Sequence, residues 1–312
     1  MSRLSVFLHR GHGPSTLADE SSIHSSHHAS WPETFVNPHD GSTMGLIPGG
    51  AFTMGSTLSD IEHARGMDKD GEIFALSHET HALSHETPQF EIFVPAFYLS
   101  VFTVTNEQFA RFLTDLHPGR TTLEFWVYST PHILQSQREG EPYRAEAGFE
   151  HHPAVHITWF GAEAYCRWAK LRLPTEVEWE KAARSTDARL FPWGNEWDDR
   201  FLCWHRGERD EKTAKVDAYS EGRSPYGIFQ MAGNVAEWCD DWYQPRFYDE
   251  HAMGNRHSPH SGDEKVLRGG SCLTKHELEF RCSMRAASSP ISIWDNFAGV
   301  RCACDLPGVA LG

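Results

Sequence analysis

The chain has no apolar run near the roughly 20 residues that a helix needs to cross a bilayer, which argues against a membrane span. Cysteine is sparse and odd in number, seven in 312 residues, too few for a disulfide scaffold. Basic residues are also short: 28 Lys and Arg face 43 Asp and Glu, a net charge of −15. Phosphate recognition needs clustered Lys and Arg, so nucleic acid is excluded as a main partner, while cation binding is favoured. The first ten residues, Met1 to Arg10, hold too short an apolar block for a secretion signal, so a cytoplasmic protein is expected. Apolar residues are not lacking: they make up 39% of the chain and include 11 tryptophans, the composition of a globular protein with a real core.

Residues 1–44 are rich in Ser, His, Gly and Pro without a sustained period and read as a flexible tail. Ordered structure is expected over 45–305 as one domain, with 306–312 as a second tail. Within the domain, Ala75–Thr80 and Ala82–Thr87 repeat Ala-Leu-Ser-His-Glu-Thr, setting out His78, His81 and His85. On a helix, spacings of three and four would place these imidazoles on one face, a set suited to zinc, copper or iron. A duplicated surface loop explains the same spacing.

Phe90, Ile92 and Val94 alternate as in a half-buried strand, and Phe97–Val104 continues the sheet. Thr105 and Gln108 form a capping-box signature ahead of Phe109, Phe112, Leu113 and Leu116, which make one helical stripe. Residues 120–150 read as irregular. A second helix has Ala162, Tyr165, Cys166 and Ala169 on its inner face, and a third begins at Thr175 with Glu178 completing another capping box. Val266–Ser271 reads as a strand ending in a glycine bend, and Phe297–Ala303 as a central strand. Few helices, short strands and long Gly- and Trp-rich loops give an α+β fold.

The stretch Gly227 to Tyr243 is the organising centre. Gly233-Asn234 is a turn dipeptide, since both residues tolerate positive φ. Gln230 and Glu237, with the carbonyls of Gly233 and Val235, could clasp a hard cation such as calcium. Alternatively Asn234 and Glu237 cap the bend over Trp238 and Trp242.

Several motifs in order resemble the sulfatase-modifying-factor family, which holds the formylglycine-generating enzymes and the sulfoxide-synthase domains of ergothioneine biosynthesis. They are Ile47-Pro-Gly-Gly-Ala-Phe-Thr-Met-Gly55, Val104–Phe109, Ala164–Trp168, Arg172–Trp179, Pro192-Trp-Gly194, Gly233-Asn-Val-Ala-Glu-Trp238, Arg268-Gly-Gly-Ser271 and Gly299-Val-Arg-Cys302. The resemblance implies a C-type-lectin-like fold with bound calcium. It maps a calcium site onto Gln230, Gly233, Val235 and Glu237, with Gln230 where the family has Asn. A second site falls near Leu202, Cys203 and Asp217, with Leu202 in place of an Asn. Cys166 and Cys302 match a pair that is a disulfide in some members.

Formylglycine-generating enzymes oxidise a substrate cysteine with O₂ and a copper ion held by two cysteines, three and eight residues after the Ser of Gly-Gly-Ser. Here those positions are Thr274 and Glu279, so formylglycine generation is not expected. The resemblance leaves a metal-dependent oxidoreductase acting on a thiol or peptide substrate, with calcium and possibly copper or iron. Cys272, Cys282, Arg285 and Trp294 are its candidate catalytic residues. The alternatives are a ligand-binding lectin-like module for a peptide or protein ligand, including a retroelement-diversified protein variable over 272–298, or a regulatory paralogue.

Overall fold

In the computed structural model, residues 31–67, 83–127, 131–134, 141–205, 212–254, 260–292 and 297–306 are described. From Pro32 onward they form one compact unit. Two four-stranded sheets carry it. The first has β1 (Thr34–Val36), β2 (Thr43–Ile47), β5 (Phe97–Ser100) and β12 (Ala303–Asp305), in that order and antiparallel throughout. The second has β10 (Arg285–Ser288), β9 (Lys265–Arg268), β8 (Ala236–Trp242) and β11 (Ala298–Gly299), with β11 parallel to β8. Two antiparallel pairs, β3 (Gly50–Met54) with β4 (Phe90–Val94) and β6 (Ile133–Leu134) with β7 (Arg144–Ala145), complete the strands.

The helices are α1 (Leu58–Met67), α2 (Asn106–Leu116), α3 (Arg120–Trp126), α4 (Trp159–Trp168), α5 (Glu176–Arg184) and α6 (Phe247–Ala252). Both capping boxes form: Thr105 with Gln108 starts α2, and Thr175 with Glu178 starts α5. Each cap satisfies N–H groups that the first turn leaves without partners, worth about 1 kcal/mol. Phe109 and Phe112 of α2 pack on Tyr165 of α4 and, with Trp238 and Val300, fill one core. A second core gathers Ile47, Phe52, Leu99, Trp179, Met231, Val266 and Cys282 between the sheets and α5.

Three features depart from the sequence reading. Strand β1 lies ahead of residue 45, inside the expected tail. It is ordered because Phe35 meets the ring of Tyr98 edge-on at 4.7 Å and the Tyr98 hydroxyl donates to the carbonyl of Pro32. The 120–150 region holds α3 and a short antiparallel pair. Finally, Phe297–Ala303 is not one strand: β11 joins the second sheet and β12 the first, and buried Arg301 sits at the crossing. No helix among the described residues is long and apolar enough to cross a membrane.

Candidate functional site

Strand β9 ends at Arg268, and the chain then bends through Gly269 and Gly270, both at positive φ (92° and 65°). A side chain at Gly270 would lie 2.9 Å from the Phe280 ring, so only glycine permits this close approach. The loop that follows is held by its own polar groups. The Ser271 N–H donates to Thr274 Oγ1, the Leu273 N–H to Ser271 Oγ, and the Thr274 N–H to the Ser271 carbonyl. The Cys272 N–H donates to the carbonyl of Asn234, which ties the loop to the Gly233-Asn234 turn. That turn adopts the expected geometry, with φ of 76° and 66°.

Above the loop stands an aromatic wall. Trp197 stacks near Phe280 at 5.8 Å and meets Trp204 edge-on at 5.3 Å, while Phe191 stacks on Trp193 at 5.2 Å. The His205 N–H donates to the Thr274 carbonyl, which fixes Trp204 beside the loop. The Trp204 indole Nε1 is buried and has no hydrogen-bond partner among the described residues. Buried donors rarely stay unsatisfied, which makes this N–H a candidate contact.

Below the loop lies a buried ionic lattice. Arg268 reaches Glu176 and Glu180, Arg184 reaches Glu180 at 2.9 Å, and Arg285 grips Glu176 with Nε at 2.7 Å and Nη2 at 2.9 Å. Arg281 pairs with Glu86, and Arg301 with Glu237. All of these side chains are at most 1% exposed. Burial works against the Glu180 carboxylate, but Arg268, Arg184, the Gly55 N–H and the Tyr248 hydroxyl outweigh it and hold its pKa below the ordinary value.

The expected catalytic residues lie in and beside this frame. Cys282 is a core residue in the cluster of Trp179 and Val266, and burial pushes its thiol up to about 12. Cys272 is buried at the loop start. Arg285 is locked on Glu176 and the carbonyls of His85 and Gln244, over the rings of Tyr243 and Tyr248. Trp294 lies outside the described residues. So do His78 and His81, and His85 bonds the Tyr243 hydroxyl through Nδ1 at 2.8 Å. Cys166 and Cys302 meet at 3.4 Å between sulfurs, as thiols.

The residues for calcium are likewise engaged. Glu237 is fully buried and gives both oxygens to Arg301, and Oε2 also accepts from Trp179 Nε1. Gln230 Oε1 accepts from Asn234 Nδ2, and its own Nε2 donates to the carbonyls of Lys215 and Ala218. The Gly233 carbonyl accepts from the Val235 N–H. The Gln230 amide and both Glu237 oxygens are thus already taken up by protein partners, and the set as it stands does not fit calcium. Leu202 is fully buried in the aromatic cluster while Asp217 is exposed, so they offer no joint second site. Among the described residues no group of three His, Cys, Asp or Glu could hold a metal. Copper does not fit either, because its soft thiolate pair is replaced by Thr274 and Glu279.

Both sheets, the lattice at the base and the glycine-bent loop make one framework, and its class is shown by comparison. The family model for the sulfatase-modifying factor enzyme 1-like domain matches residues 32–306, so the chain belongs to that family. It is similar to a formylglycine-generating enzyme of Streptomyces coelicolor, 33% identical over 85% of this chain and 90% of that one. It is also similar to a hercynine oxygenase of Mycolicibacterium smegmatis, 32% identical over 85% of this chain and 61% of the relative. The fold is shared with PvdO from Pseudomonas aeruginosa, with a TM-score of 0.63 at 20% identity, over 89% of this chain and all of that one. The C-type-lectin-like expectation holds.

The sequence reading missed the ionic lattice and the Trp204 donor. The aromatic wall was visible as Trp193, Trp197 and Trp204 in a short span. Only Glu180–Arg184 has a local spacing, four residues, while the other partners lie up to 195 residues apart.

Proposed function

We propose that this protein is an oxidoreductase of the sulfatase-modifying factor family that acts with O₂ on a thiol- or peptide-bearing substrate at the 271–279 loop, and that it does not generate formylglycine by the two-cysteine copper route. The observation that carries the reading is the loop itself. The Arg-Gly-Gly-Ser bend of the family motif is present beside the aromatic wall, while Thr274, at the first copper-cysteine position, uses its hydroxyl to hold the Ser271 N–H. Likeness to an oxygenase supports an oxidative reaction. In this reading the tryptophans exclude water and orient the substrate, and the Trp204 N–H binds a substrate carbonyl or carboxylate.

The test adds Fe(II) to metal-free full-length protein and follows O₂ uptake with thiol peptides, with Cu(I) as the control. The expected result is uptake that depends on iron and not on copper, with no formylglycine in the products by mass spectrometry. No uptake, with no tightly bound transition metal, would leave a second reading, a ligand-binding module or regulatory paralogue without chemistry. What favours that reading is the commitment of Cys282 and Arg285 to the core. Its diversified version draws less support, since Phe280 is buried at 1% exposure rather than displayed.

A further inference from the structure

A separate cavity of about 560 Å³ opens between the Asn37–Ser42 turn, the end of β5 and the start of α2. That volume is in the range of small-molecule sites, about 300–1,000 Å³. Two features of its lining bear on what it could hold. The first is Thr103, 3% exposed, whose Oγ1 has no hydrogen-bond partner among the described residues. The second is Asp40, 2% exposed, whose carboxylate accepts from four neutral donors: Asn37 Nδ2, the Ser42 N–H, the Ser42 hydroxyl and the Tyr165 hydroxyl. No ion pair reaches Asp40 among the described residues, although buried carboxylates ordinarily take a cationic partner.

The rim strengthens this field. Glu107 and Asp217 both border the opening and are exposed. The one guanidinium there, Arg111, is turned to the carbonyl of His39. Phe102 supplies an apolar wall. A ligand that completes this cavity brings positive charge to the carboxylates and a hydroxyl to Thr103, and has an apolar face for Phe102. An anionic ligand would meet three carboxylates against one arginine, and a purely apolar one would leave the Thr103 hydroxyl orphaned.

We propose that this cavity binds a small hydroxylated amine, with an amino sugar as the matching class. The test is calorimetric titration of the full chain with glucosamine, glucose and glucuronate, in the presence of a chelator. Glucosamine is expected to bind saturably, glucose at least tenfold more weakly, and glucuronate not at all. Asp217→Asn is expected to weaken glucosamine about tenfold. Thr103→Val is expected to weaken it by a similar factor with no fall in Tm, and Thr103→Ser to restore it. The proposal is overturned if glucosamine shows no saturable binding, or if glucose binds as well. It is also overturned if Thr103→Val binds like the parent, or if the only response at this cavity is to added calcium.

Discussion

Replacing Glu180 by Gln is the sharpest probe of what holds the site in place. Glu180 lies on α5, is inaccessible to solvent, and joins Arg268 to Arg184 while accepting from the Gly55 N–H and the Tyr248 hydroxyl. With Glu176 it balances three guanidiniums, those of Arg184, Arg268 and Arg285, leaving one excess positive charge in the lattice. Glutamine keeps the shape but removes a charge, raising that excess to two, and turns an N–H pair towards groups that are all donors. Removing one partner of a buried pair costs about 3–5 kcal/mol, because the other charge stays buried. That is a large fraction of the ~5–15 kcal/mol of a typical domain. Urea unfolding followed by tryptophan fluorescence should show this loss with an unchanged slope. The exposed pair Arg120–Glu124 is the control, and Glu124→Gln should leave the midpoint in place. The pH dependence has a fixed sign. The folded pKa of Glu180 lies below the reference value of 4.5, so its stabilisation is present above that value and is lost as pH falls below it towards the folded pKa. Glu180→Gln should therefore flatten part of the acid limb. A loss under about 1 kcal/mol would refute the view that the lattice is a structural element whose partners depend on one another.

Two further outcomes follow from the same geometry. Cys282, with its thiol pushed up to about 12 by burial, should resist iodoacetamide at pH 8 in the native protein and react once unfolded; fast native labelling by peptide mass spectrometry would contradict its place in the core. Because Gln230 and Glu237 already serve Asn234, Arg301 and neighbouring carbonyls, EDTA should leave Tm unchanged, and a clear fall restored by calcium would show that the ion competes successfully for these donors.

The parts of this fold that could be read from sequence are those set by local rules. Both capping boxes, the stripe of Phe109, Phe112 and Leu113, and the Gly233-Asn234 turn depend on residues within a few positions of one another. Two helices with little apolar face went unread. Helix α3 starts at Gly119 with no side-chain cap and buries none of its residues. Helix α1 has a reciprocal Thr57–Asp60 cap, but it buries only Ile61 and Ala64. The strand expected over Phe297–Ala303 failed for a different reason. Its apolar residues suit either sheet, and only the pairing of Arg301 with Glu237, 64 residues away, shows that the chain crosses between them. At the site, cysteine spacing supports the proposal that the two-cysteine copper route is not used. It could not reveal that Cys282 is core, since a thiol behaves as a small apolar group whenever its surroundings are dry.

The arrangement also separates the loop from what anchors its base. The loop 271–279 follows β9, whose Arg268 is anchored to α5 by ion pairs that involve no residue of the loop. Thr274 supports the bend itself, because its hydroxyl takes the Ser271 N–H that the turn would otherwise leave open. Chemistry at the loop and stability at its base are thus carried by different side chains. On that separation, Thr274→Ser, which keeps the Ser271 N–H bonded, should leave the urea midpoint in place, whereas removing Arg268 beneath the loop should lower it.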